Sequence, residues 1–292
     1  MQYDPIKKFL GKVFNKTPFL RIIFYKLLDL LLLRSWYVRQ EIRRWAENAP
    51  QPFVNGKQDA GSSDHISHPI VRDTKRFILD AGSGFGQYTY FLSGLNPFWF
   101  VDAVDVKEEQ IDDCNDFFTR INRKNVLFEK ADLTLFSKPG KFDLILSVDV
   151  MEHITDDEAV FRNFCDSLTR QGMLLISTPS DQGGSDVHNH EEGESFIDEH
   201  VRDGYNISGI REKLIRAGFA KTDARYTYGT PGKISWRLSM KYPILMLNTT
   251  KLFFIILPFY YILTYPVAFF CNWLDIRMNH STGTGLIVKA WK

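Results

Sequence analysis

The segment Phe77–Gly86 (FILDAGSGFG) constrains the chain more than any other. Three apolar residues lead into an acid, Asp80, and glycines follow at the alternate positions 82, 84 and 86. Glycine enters the left-handed region freely and lets a ligand approach main-chain N–H groups at the start of a helix. The segment therefore reads as a buried strand, a ligand-binding turn and a helix. That unit commits the chain to an α/β fold, because the helix has to pack back on the sheet its strand enters.

The pattern downstream repeats the unit. Strands are expected at Phe98–Val104, Val126–Glu129, Leu144–Val148 and Met173–Ser177, separated by helical lengths such as Asp157–Leu168. Ser208–Ala217 reads as a helix with Ser208 as N-cap and Gly218 as its stop. Ala224–Tyr228 and Leu286–Ala290 supply late strands. Polar residues fall at successive strand ends: Asp80, Asp105, Asp132, and the run Ser147-Val148-Asp149. In a doubly wound sheet these ends share one edge and form a ligand crevice, and an acid at Asp105 can accept hydrogen bonds from ribose hydroxyls.

These segments together resemble the class I S-adenosylmethionine-dependent methyltransferases. The resemblance is carried by FILDAGSGFGQY (Phe77–Tyr88), VDAVDV (Val101–Val106), KADL (Lys130–Leu133), FDLILSVDVMEHI (Phe142–Ile154) and GMLLISTPS (Gly172–Ser180). It runs from about Val71 to Phe219, with the terminal GTGLIVKAWK similar to the family's last strand. It implies a Rossmann-like, doubly wound sheet of seven strands whose last strand is antiparallel, with S-adenosylmethionine as cofactor. On that resemblance Asp80, Gly82, Gly84 and Gly86 line the methionine moiety and Asp105 holds the ribose. Asp132 and Leu133 flank the adenine, and Val148 and Asp149 lie near the sulfonium. A nicotinamide dehydrogenase is the competing reading. Its G-x-G-x-x-G fingerprint has one more residue between the last two glycines, and it leaves Asp132 and the Asp149–His153 run unexplained.

Methyl transfer is an in-line displacement at carbon, so alignment of the acceptor is the protein's main task. Where a base is needed, the candidates are His153 after the fourth strand and His188 and His190 after the fifth, since histidine titrates near neutral pH. The acid-rich and histidine-rich segment from Ser185 to His200 reads as a loop that orients substrate over the site. His188-x-His190 in a loop lacks the fixed geometry of a helical H-E-x-x-H pair, so no metal is expected.

The formal net charge of +1 conceals an uneven distribution. Residues 1–45 carry ten Lys/Arg against three acids, and residues 226–292 carry seven against Asp275 alone. The centre is correspondingly acidic, with a net −12. Both basic ends are also apolar. Residues 1–45 read as amphipathic helix, suited to a membrane interface or to packing on the protein's own core. Leu252 to Leu274 is 23 residues without a charge, long enough to cross a bilayer. Strands on both sides of it belong to one sheet, which excludes a single crossing. Pro258 and Pro266 allow breaks that would give a re-entrant shape, and Lys241, Lys251 and Arg277 flank the segment.

The expected organisation is a basic helical region (1–45), a linker rich in Pro, Gly and Ser (46–69), a methyltransferase core (70–230), an apolar insertion (231–281) and a last strand (282–292). Cys114, Cys165 and Cys271 are too far apart for a C-x-x-C pair and read as reduced. No secretory signal is evident, because Arg21, Lys26 and Asp29 interrupt the first apolar stretch. The chain thus reads as a methyltransferase at the cytoplasmic face of a membrane, peripheral or monotopic, acting on a lipophilic acceptor and not on nucleic acid. The alternatives are a soluble methyltransferase that dimerises through its apolar ends, and a membrane protein that binds the cofactor without turnover.

Overall fold

The computed structural model describes residues 17–48, 75–183, 201–250 and 252–292. Two helices come first, α1 (Pro18–Leu31) and α2 (Leu33–Asn48), broken at Leu32, whose backbone is extended. Thr17 caps α1 by accepting from the Leu20 N–H, with Pro18 in the first turn, where its missing N–H costs nothing. α2 runs three residues into the segment expected to be a linker. The remainder of that linker, and the loop carrying His188 and His190, lie outside the described residues.

The core alternates β1 (Arg76–Ala81), α3 (Gln87–Leu95), β2 (Trp99–Asp105), α4 (Glu108–Arg120), β3 (Val126–Lys130), β4 (Phe142–Val148), α5 (Asp157–Ser167) and β5 (Leu168–Pro179). Then come α6 (Ile207–Arg216), β6 (Lys221–Thr227), α7 (Thr230–Trp236), α8 (Tyr242–Thr249), α9 (Phe253–Asp275) and β7 (Gly285–Trp291). The strand order is β3-β2-β1-β4-β5-β7-β6, parallel except for β7, which runs antiparallel to both neighbours. β1, β2 and β4 are buried on both faces and accordingly read as nearly continuous apolar runs. β6, at an edge, is more polar (KTDARYT). The N-cap of α6 is Asn206, whose side chain accepts from the Gly209 N–H, and not Ser208 as expected. Gly218 does end that helix region with φ +103°.

Two apolar layers sandwich the sheet. α5 and α6 cover one face through Val160, Phe161, Phe164, Ile210 and Leu214. α2 and α3 cover the other through Tyr37, Val38, Ile42, Trp45, Phe91 and Leu92. The N-terminal region is therefore built into the domain as its second helical layer.

The apolar insertion is a helical hairpin. Its first arm is α7, a π-turn (Arg237–Lys241) and α8; the second is α9. Pro243 has no N–H for the Ser239 carbonyl four residues earlier, which is the ordinary cause of such a turn. The freed carbonyls are satisfied across the hairpin: Tyr261 donates to Ser239 O and Tyr260 to Leu238 O, both at 2.8 Å. α9 continues unbroken through Pro258 and Pro266, contrary to the re-entrant shape those prolines allowed. The chain instead reverses between α8 and α9, outside the proline positions. One end of α9 is fixed to the domain by Asp275. This buried carboxylate accepts from the Tyr37 hydroxyl and the Gly232 N–H, each at 2.8 Å, and lies 3.2 Å from His280 Nε2.

Candidate cofactor and acceptor site

The glycine turn follows β1 directly. Gly82 has φ +79°, and its N–H and that of Ser83 both donate to Val104 O of β2 at 2.9 Å. A Cβ at Gly82 would fall 2.2 Å from Val150 Cγ2, so both backbone angle and space demand glycine there. Gly86, φ +81°, opens α3 against Cys114 and Phe118. Gly84, φ +52°, would meet only Gln110 Oε1, at 3.8 Å, with an added Cβ, and its N–H is donated to Asp105 Oδ2 at 2.9 Å.

Asp105 ends β2, and its other oxygen accepts from the Lys107 N–H at 2.9 Å. The carboxylate is thus locked at the rim of the turn with lone pairs to spare for ribose hydroxyls. Asp80 is buried beneath the turn and accepts from the Thr89 hydroxyl at 2.5 Å. Burial pushes its pKa up to about 6; the Thr89 hydrogen bond opposes the rise, and the Asp105 charge adds to it. A carboxylate held in this way gains from a cationic ligand. The Ser83 hydroxyl, within the turn, is buried without a hydrogen-bond partner. An unsatisfied hydroxyl in a cradle of left-handed glycines fits a polar ligand such as the aminocarboxypropyl part of S-adenosylmethionine.

After β3, Asp132 Oδ1 already accepts from the N–H and hydroxyl of Thr134, both at 2.8 Å, so one of its oxygens holds its own turn. The Leu133 side chain is buried in the layer beneath α5. Val148 ends β4 and Asp149 follows with φ +52°. His153, at the end of a short 3₁₀ turn (Met151–His153), is exposed, whereas its neighbour Glu152 is buried and accepts from the Thr178 hydroxyl at 3.1 Å. Burial raises the Glu152 pKa, opposed by its own backbone, by His153, by Thr178 and by the Arg34 charge.

Sequence patterns gave no indication of the groups that roof this edge. Arg34, in the first turn of α2, forms an ion pair with Asp149. Its N–H donates to the Tyr228 hydroxyl at 2.9 Å. Among the described residues, Asp149 and Tyr228 are two of the three non-glycine residues with positive φ, so strained backbone flanks Arg34 on both sides. Ser35 meets the Tyr88 hydroxyl at 3.3 Å, and Gln87 bridges to Asp29 and Ser35. α1 grips the turn itself. Arg21, almost fully buried, and Tyr25 both donate to Phe85 O, and Arg21 also pairs with Asp113 at 2.7 Å. Among the described residues no group of three or more His, Cys, Asp or Glu could hold a metal ion.

A family model described as a methyltransferase domain matches residues 73–213, which contain the turn and all of these strand ends through β5. The chain carries a class I, S-adenosylmethionine-dependent methyltransferase domain. Malonyl-[acyl-carrier protein] O-methyltransferase of Bacillus anthracis is 32% identical over 111 residues, covering 38% of this chain and 40% of that protein. Phosphoethanolamine N-methyltransferase of Triticum aestivum is 32% identical over 144 residues, 49% of this chain and 27% of that one. The matches therefore span well under half the length of these curated relatives.

Among solved structures, phosphoethanolamine N-methyltransferase 2 of Haemonchus contortus superposes with TM-score 0.54 at 17% identity, over 75% of this chain and 49% of that one. The [4+2]-cyclase SpnF does so with TM-score 0.52 at 15% identity, over 76% and 77%. A methyltransferase and a cyclase on one fold show that architecture alone leaves the reaction open.

Proposed function

We propose that this protein transfers the methyl group of S-adenosylmethionine to a lipophilic acceptor that it meets at a membrane surface. The cofactor supplies an electrophilic methyl on a positive sulfur. Asp80, Ser83 and the glycine turn bind its amino-acid part and Asp105 its ribose. Asp149 and Arg34 lie where the acceptor enters, with buried Glu152 behind them. Alignment by such groups can account for about 7–11 kcal/mol of barrier lowering. A curated relative named for a carrier-bound malonyl group and another named for phosphoethanolamine leave oxygen and nitrogen acceptors both open.

The observation that carries the membrane reading is the outward-facing hairpin. Only 6% of the most apolar window of α9 is buried, and Ile255, Phe259, Ile262 and Leu263 are each at least 67% exposed. An apolar surface of this extent marks an interaction site. The one acid among residues 226–292, Asp275, is fully buried, so the polar groups flanking the exposed face include Lys233, Lys241 and Arg277 without a competing surface acid from that stretch. Positive charge beside an apolar face suits the anionic cytoplasmic leaflet, with the hairpin lying in the interface and the cofactor crevice beside it.

Co-flotation with liposomes tests the docking. A protein that stays with the soluble fraction and elutes as a dimer would sink it and favour the apolar face as a subunit interface. Lipid extracts from a deletion strain and wild type test the activity: the deletion should lack a species one CH₂ heavier than an accumulating precursor. Cofactor binding without such a difference, and without label transfer from methyl-labelled S-adenosylmethionine to wild-type lipids, would indicate a non-catalytic binder.

A further inference from the structure

The outer face of α2 carries a second polar feature that the cofactor crevice does not use. A groove of about 390 Å³ runs along it, beside the domain end of α9. Arg39, Arg43 and Arg44 line it with Gln40, and Trp36 and Ile276 form its apolar end. Asp29 and Glu47 also border it. The volume falls within the range of small-ligand sites.

We propose that this groove holds the phosphate of an anionic phospholipid headgroup, with the acyl chains continuing over α9. The proposal rests on the membrane-docking reading above and gives that surface a lipid preference. Three observations carry it. First, Arg43 and Arg44 are exposed about two turns below Trp36, on the face of α2 turned away from the sheet. Guanidinium groups present paired N–H donors that match phosphate oxygens, which makes arginine the preferred residue for such a group. Arg44 pairs with Glu41 at 2.8 Å, but Glu41 is buried and already held by Arg225 at 2.9 Å and Lys289 at 3.0 Å. Arg44 can therefore turn to a ligand without leaving a buried carboxylate unpaired.

Second, three guanidinium groups line the groove against the two carboxylates of Asp29 and Glu47, which leaves it net positive by one charge. Burial and the neighbouring Arg43 guanidinium lower the pKa of Arg39, against the pull of Asp29, which pairs with it at 2.5 Å. A bound phosphate would relieve that repulsion. Third, the groove opens onto the apolar hairpin. The Trp36 ring meets Phe269 of α9 edge-on at 5.0 Å, and Arg277 lies over the Trp273 ring at 4.1 Å. Trp and Arg side chains at the end of an exposed apolar helix mark headgroup depth. The phosphate site and the acyl-chain surface are thus continuous.

The test is flotation of the full chain with phosphatidylcholine vesicles, with and without phosphatidylglycerol, at low and high salt. It uses wild type, the double variant Arg43→Gln/Arg44→Gln, and a charge-matched control, Arg162→Gln/Arg216→Gln. The control residues are exposed on α5 and α6, across the sheet from the groove. Each cation near an anionic surface strengthens binding by a factor of about five. The groove variant should lose about thirtyfold in affinity for the phosphatidylglycerol vesicles and keep its weaker binding to phosphatidylcholine. The control should change less than about twofold, because its charges lie beyond a Debye length of about 8–10 Å from the groove.

Unchanged S-adenosylmethionine binding and thermal melting confirm that both variants are folded. Equal losses in the two variants would show a net-charge effect and overturn the groove assignment. Equal binding to the two vesicle types would overturn it too, while leaving membrane docking intact. Absence of binding to either vesicle would remove docking and the groove together. A soluble glycerol phosphate that binds with the same arginine dependence, without any vesicle preference, would assign the groove to a free phosphate and overturn the lipid source.

Discussion

Replacing Asp80 by Asn separates what this acid does for the cofactor from what it does to the fold. The side chain is buried and its pKa is raised from 3.8 to about 6 by loss of solvent. The folded state therefore binds this proton more tightly than the unfolded chain. Below about pH 4 both states are protonated and the buried group carries no charge penalty. As pH rises through about 6 the folded state must ionise it, and the relative stabilisation of the protonated form is lost. Each pH unit between the two values corresponds to about 1.4 kcal/mol, so the full penalty at pH 8 is about 3 kcal/mol.

Asn keeps the shape and an oxygen for the Thr89 hydroxyl. Asp80→Asn without cofactor should thus be more stable than wild type by up to about 3 kcal/mol at pH 8 and nearly equal to it at pH 4. Urea unfolding at the two pH values measures this. With S-adenosylmethionine at a hundred times its wild-type Kd the order should narrow or reverse. Wild type then gains about 2.7 kcal/mol from binding, and a variant with weakened affinity gains less. A variant destabilised to the same extent at both pH values, or one that binds the cofactor as wild type does, would refute the reasoning.

Asp105→Ala removes the acceptor for the Gly84 and Lys107 N–H groups as well as the proposed ribose contact, at about 1.5–3 kcal/mol for a charged hydrogen bond. Calorimetry should show S-adenosylmethionine affinity falling about 10- to 100-fold. Gly82→Ala brings a Cβ to 2.2 Å from Val150 at φ +79° and should cost about 2–5 kcal/mol in denaturant unfolding, with Val150→Ala restoring only the steric part. Asp275→Ala leaves the buried Gly232 N–H without its acceptor and the Tyr37 hydroxyl with only the main-chain oxygen of residue 275, so the domain should lose about 1–3 kcal/mol and the hairpin should become more sensitive to protease.

The cofactor turn was legible because its chemistry is local. Positive φ at residues 82, 84 and 86 needs glycine whatever surrounds it, and acids at strand ends announce themselves by following apolar runs. Arg34 was not legible, because nothing near it in sequence distinguishes it from the other basic residues of the first helices. It reaches Asp149 and Tyr228 only because α2 is laid across the carboxyl edge of the sheet. Nor did sequence separate His153 from Glu152: both follow β4, but the 3₁₀ turn exposes the first and buries the second. His188 and His190 fall outside the described residues.

By itself the sequence determined the alternating α/β plan, the ligand-binding turn, and the presence of a 23-residue stretch without charge, while the count of seven strands came from the family resemblance. Periodicity and glycine placement are properties of short segments, and they survive any change of surroundings. Only the tertiary structure decided where the apolar stretch goes. A run of that composition is equally suited to a core or to an outer surface, and the choice depends on what else fills the two layers. Here α2 and α3 already cover the face of the sheet on which the hairpin sits, so α9 is left outside, tied down at one end through Asp275. Burial of that single acid also leaves the exposed charge of the hairpin cationic, a fact that counting residues could not reveal.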